Sequence, residues 1–165
     1  MDKELDEDLK ALELVKMNEK AENAVACAVA ATSATGAIPI PFADAPILIG
    51  EQVALLATIS SIYEIRIKED GLKMLVTAAI GVGGATFLGK TIVSGTLKLI
   101  PGVGTVAGGL ISGGTAGMIT LAMGKAYIEV CKMVKNGELD EDDLASEKGK
   151  TIMKENFKKQ MKRNK

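Results

Sequence analysis

Gly84-Ala85-Thr86-Phe87-Leu88-Gly89-Lys90-Thr91 is the stretch of this 165-residue sequence whose residue types and spacing come nearest to known chemistry. It fits G-x-x-x-x-G-K-[ST], where backbone N–H groups cradle phosphates, the lysine meets the terminal ones and the hydroxyl holds Mg2+. Such a loop works between a buried strand and a helix, inside a strand–helix–strand unit. The run 75–80 could pass as the strand, but no later apolar run ends in an aspartate able to hold the metal. Only 74 residues follow Thr91, and their apolar spacing is helical. In a chain with 18 glycines such a string arises easily. We read it as a Gly-rich helix whose Lys90 reaches a polar edge.

The other chemical candidates are weaker. The chain has no histidine, which removes the commonest general base, the commonest metal ligand and every Ser/His or Cys/His pair. Cys27 and Cys131 stand in apolar stretches with no CxxC spacing; they read as two buried free thiols in a reducing compartment. Asp140, Glu141, Asp142 and Asp143 lack the spacing and the interleaved glycine of a calcium loop, and read as a solvated acidic linker. The expectation is a non-enzymatic chain with no catalytic residue, no metal and no cofactor.

The elements that would have to position any site are helical. Leu5, Leu9 and Leu12 recur at i, i+4 and i+7, and Met17, Ala21, Ala24 and Ala28 continue an apolar face. A first helix is expected to about Thr35, where Gly36 and the Pro39/Pro41 pair end it. Asp44 is a good N-cap for a second helix, reaching about Lys68. Asp70 can cap a third from Leu72 to near Lys98, and Pro101-Gly102 breaks the chain again. A fourth should run from about Thr105 to Val134 and close at Asn136-Gly137. The acidic residues 138–143 suit the N-terminal end of a fifth. Ile38-Pro39 and Tyr63-Glu64-Ile65 are echoed by Ile100-Pro101 and Tyr127-Ile128-Glu129-Val130. The architecture expected is all-α with about five helices. Two Gly/Ala-rich hairpins pack together over 1–137, and a linker with a basic amphipathic helix fills 138–165.

Glycine and charge set what those helices can touch. Gly109, Gly113 and Gly117 recur every four residues, a smooth ridge for close helix packing. Pro39, Pro41, Asp44, Pro101 and Gly102 shape the hairpin turns. From Leu99 to Gly124 there are 26 residues without a charge, long enough for a membrane helix but rich in Gly, Ser and Thr. A buried soluble helix and a membrane helix both fit it. Net charge is −1, yet residues 1–23 carry eight acids and four bases, whereas residues 148–165 carry eight bases and one acid. Met153, Phe157 and Met161 form a narrow apolar stripe among those bases. The tail either docks by that stripe or lies on anionic lipid through Lys154, Phe157, Lys158 and Lys162. One aromatic and no known motif argue against nucleic acid. The acidic start lacks the basic, then apolar, pattern of a signal peptide, so secretion by that route is not expected.

Three motifs in order carry a resemblance over about residues 20–135: Ile38-Pro39-Ile40-Pro41-Phe42-Ala43-Asp44-Ala45-Pro46-Ile47-Leu48, Leu99-Ile100-Pro101-Gly102-Val103-Gly104-Thr105-Val106-Ala107-Gly108-Gly109, and Gly124-Lys125-Ala126-Tyr127-Ile128. Together they resemble the uncharacterised helical domain that accompanies certain bacterial GTPases and is carried by YcjF-type inner-membrane proteins. The resemblance implies an all-helical fold at or in the cytoplasmic membrane and a P-loop GTPase as partner. It carries no catalytic residues. This sequence departs from the fused arrangement, since no GTPase domain precedes the helices. The function expected is a non-enzymatic interaction module on the cytoplasmic side of the inner membrane, free to form homo-oligomers. The alternative is a small pore-forming protein using a Gly-rich hairpin.

Overall fold

The computed structural model of the chain describes residues 2–36, 44–81 and 104–163. Among these residues there are five α-helices: α1 (Asp2–Gly36), α2 (Asp44–Ile62), α3 over 69–81, α4 (Gly104–Lys135) and α5 (Glu147–Arg163). A single 3-10 turn, Glu141–Asp143, precedes α5, and no strand occurs among the described residues. The fold is all-α, as the periodicity predicts.

α4 is the axis. Thr120, Met123, Tyr127 and Val130 are buried, and so are Ala122, Gly124, Ala126, Ile128 and Cys131, so almost the whole circumference is covered. A helix apolar all round belongs inside a bundle, and α4 packs against α1, α2 and α5. Low aromatic content leaves few large side chains to fill the centre. Tyr63, Tyr127 and Phe157 are all buried there with Leu56, Ile59, Leu75 and Met153.

Small residues let α1 and α4 approach. A Cβ on Gly117 would strike Ser33 Oγ, and one on Gly124 would strike both methyl groups of the buried Val25. Gly117 of the expected ridge therefore faces α1. Gly109 and Gly113 lie in α4, but their surroundings are outside the described residues, as are Pro39, Pro41, Pro101, Gly102 and the string Gly84–Thr91. Asp44 opens α2, with Pro46 in its first turn where a missing N–H costs nothing.

Two helix ends are alike in geometry and unlike in residue. After α4, Glu138 N–H donates to Met133 O (2.8 Å) and Gly137 N–H to Val134 O (3.0 Å), with Gly137 at φ 75°. After α2, Ile65 N–H donates to Ser60 O (2.9 Å) and Glu64 N–H to Ser61 O (3.2 Å), with Glu64 at φ 54°. Both are Schellman closures with a left-handed residue. α2 thus stops six residues before the expected Lys68, because Ile65 folds back into the core. The acidic stretch also differs from expectation. It forms the 3-10 turn ahead of α5, and Ser146 starts the helix instead, its Oγ accepting from Lys148 N–H (3.2 Å).

Candidate functional site

The described residues offer two charged surfaces and one buried polar relay. The relay begins at Ser60, whose hydroxyl donates to Leu56 O (2.8 Å). Its Oγ lies 2.7 Å from Tyr127 Oη, and Cys131 is buried one turn further along the same helix. Burial, the largest cause, pushes both the Cys131 thiol and the Tyr127 phenol well above their ordinary values. Cys131 is therefore a neutral packing thiol and a poor nucleophile. Cys27 departs from expectation. It is exposed, because it sits on the side of α1 that faces away from α4. Gln52 and Thr120 make a second buried pair, with Gln52 Nε2 donating to Thr120 Oγ1 at 2.8 Å. Gln52 Oε1 has no partner among the described residues.

The acidic linker gathers nothing. Asp143 pairs with Lys148 at 2.7 Å, and Glu141 accepts from the Arg66 N–H at 3.4 Å. No group of three or more acidic or thiol side chains is placed to hold a metal among the described residues.

The first charged surface is α5. Its stripe, Met153, Phe157 and Met161, is buried in the same core cluster as Tyr127 and Leu144. Phe157 is consequently a packing residue in this fold, not the contact expected at a membrane or partner, because a docked stripe has no free face. Gly149 permits the docking. A Cβ there would strike the backbone carbonyl oxygens of Leu144 and Asp143. The exposed arc left outside carries Lys158, Lys159, Lys162 and Arg163, with Lys154 half-buried at its margin. Earlier in the helix charges are neutralised locally. Lys150 holds the Glu147 carboxyl below its usual range, and Asp143 holds the Lys148 ammonium above its own. No described residue pairs with the four later cations.

The second surface is α1. Every position from Lys3 to Glu13 is exposed, so its first three turns stand clear of the bundle. Leu5, Leu9, Leu12 and Val15 are 61%, 55%, 52% and 54% exposed. The expected continuous apolar face is really two. Leu5, Leu9 and Leu12 each precede Ala21, Val25 and Ala28 by sixteen positions, about 160° around a helix of 3.6 residues per turn. The second set faces the core and the first faces away. The step from Leu12 to Met17 is five residues, and that phase change was the signal available in the sequence.

A family model described as a domain of unknown function, DUF697, matches residues 1–165. The chain belongs to DUF697. No curated protein and no solved structure matches it. This DUF697 chain presents no helix, among its described residues, long and apolar enough to cross a membrane.

Proposed function

We propose that the chain is a non-enzymatic helical interaction module on the cytoplasmic side of the inner membrane, held to anionic lipid by the outer arc of α5. The observation that carries this reading is the set Lys158, Lys159, Lys162 and Arg163, exposed on one side of a docked helix and without ion-pair partners among the described residues. Fixed cations on a rigid face attract an anionic surface, and the attraction weakens within a Debye length as salt rises. Because the apolar stripe is buried in the core, binding through this arc is Coulombic and peripheral. A P-loop GTPase as partner is supported by the Ile-Pro motifs and their resemblance alone.

Vesicle flotation tests the lipid reading. The chain should float with anionic vesicles at low salt, release near physiological salt and ignore neutral vesicles. Lys158, Lys159 and Lys162 changed together to Gln should abolish most of that binding with the helix content unchanged. Equal binding to neutral vesicles, or an unaffected triple variant, would remove the arc from the account. The non-enzymatic reading has its own test. Titration with Mg-GTP or Mg-ATP should show no binding, and micromolar affinity lost in Lys90→Ala would reverse it.

A further inference from the structure

α1 has a complete second face with none of the other described residues packed over it. On the outer side the N-terminal half shows Leu5, Leu9 and Leu12, and the C-terminal half shows Cys27, Ala30 and Ala34, all exposed. Between them the same face carries Lys16, Glu19, Lys20 and Asn23. An isolated helix shorter than about 12–15 residues is marginal in water, and the protruding turns 3–13 lack a packed side. A covering surface would supply what they lack.

We propose that two copies of this chain pair through the outer faces of α1, antiparallel, in the register where facing positions sum to 39. This register sets Leu5 against Ala34 of the second copy, Leu9 against Ala30 and Leu12 against Cys27. Bulky side chains then lie over small ones along the whole helix, so the axes can approach closely. At the centre Glu19 meets Lys20 of the second copy, twice by symmetry, and Lys16 meets Asn23. Such polar layers fix register at some cost in stability.

Charge selects this arrangement over the parallel one. The protruding turns are strongly acidic, with Asp2, Glu4, Asp6, Glu7, Asp8 and Glu13 against Lys3 and Lys10. Parallel pairing would bring two such ends together. The segment from Asn23 to Gly36 holds no charged residue, so antiparallel pairing lays each acidic end over an uncharged one. The interface is isologous and closed, the symmetry commonest among homodimers. It is independent of α5, so the vesicle result above can fail without touching it.

The test uses the native exposed thiol. Leu12→Cys should form a covalent dimer on mild diamide oxidation, while wild type and Leu5→Cys stay uncrosslinked, since neither places a second thiol opposite Cys27. Adding Cys27→Ser should abolish the Leu12→Cys dimer. In sedimentation, Glu19→Lys should weaken the non-covalent dimer at least tenfold, and Lys20→Glu added to it should restore the affinity. Circular dichroism checks that these exposed substitutions leave the helices intact. A monomer at every concentration, a dimer with no Leu12→Cys crosslink, or a crosslink that survives Cys27→Ser would each overturn the proposal. A monomer whose vesicle binding is lost in Leu9→Glu would give the stripe to lipid instead.

Discussion

The two ends of the chain carry the same device and use it differently. α5 has Met153, Phe157 and Met161 spaced by four; α1 has Leu5, Leu9 and Leu12 spaced by four and three. The first set is buried against α4 and the linker, whereas the second is more than half exposed. Periodicity identifies an apolar face in both. What covers that face depends on the neighbours. α5 follows a turn whose Leu139 and Leu144 already sit in the core, so its docking is set within a few residues. α1 uses its other side on α4, and its outer side is left for something else. An amphipathic terminal helix thus belongs to the fold or to a partner, and only tertiary structure separates the two.

The comparison breaks most easily at its centre. Phe157→Ala should cost about 3–5 kcal/mol, as buried aromatic truncations do. Leu9→Ala in the dilute monomer should stay within about 0.5 kcal/mol. Urea denaturation of both variants measures this, and equal losses would mean the α1 stripe is covered within the chain.

The two sides of α1 should also respond unequally to added bulk. Gly124→Leu meets Val25 on the inner side, and overpacking of this kind costs about 1–3 kcal/mol despite the gain in helix propensity. Ala30→Leu, on the outer side, should leave the monomer's melting temperature unchanged and act on pairing alone. A Gly124→Leu variant as stable as wild type would refute the close approach of α1 to α4.

A smaller contrast appears in alkali. Burial raises the Cys131 thiol, so above its ordinary 9.0 the unfolded chain gives up a proton that the folded chain keeps. The unfolded state is then favoured, and stability present below pH 9 falls with further rise by up to about 1.4 kcal/mol per pH unit. The phenols of Tyr63 and Tyr127, also raised by burial, add the same sign above their ordinary 10.0. Cys131→Ala should flatten the fall of the melting temperature between pH 9 and 10, and an unchanged fall would contradict this account of the thiol.

The smallest effect concerns a group that is covered without being satisfied. Gln52 Oε1 is buried with no partner among the described residues, and such an atom carries a desolvation penalty. Gln52→Met keeps the length and frees Thr120 to bond its own helix, so the melting temperature should hold or rise by a few degrees. A clear fall would mean the Gln52–Thr120 bond contributes more than the orphaned oxygen costs.

Much of the bundle was legible, and the gaps have physical causes. Gly137 ends α4 where glycine predicts, at φ 75°, because glycine enters the left-handed region freely, and α1 runs to Gly36, one residue past the expected Thr35. The end of α2 was hidden, since Glu64 takes that conformation and no residue type marks it. The four-residue repeat marks Gly117 as a packing residue but does not reach Gly124, two turns further on, although Gly124 meets the same helix. Gly149 gave no pattern at all; its reason is two carbonyl oxygens of the preceding turn. The cations of α5 were readable as a basic face, whereas the loss of Phe157 to the core needed the position of α4.

The difference between the two terminal helices is open to one direct measurement, amide hydrogen exchange at low and high protein concentration. Residues 149–161 of α5 should exchange slowly at both, because their stripe is covered within the chain. Residues 5–15 of α1 should exchange quickly when dilute and become protected as concentration rises, because their cover is a second copy. Protection of α1 that is already high in dilute solution, or that never changes with concentration, would contradict the account.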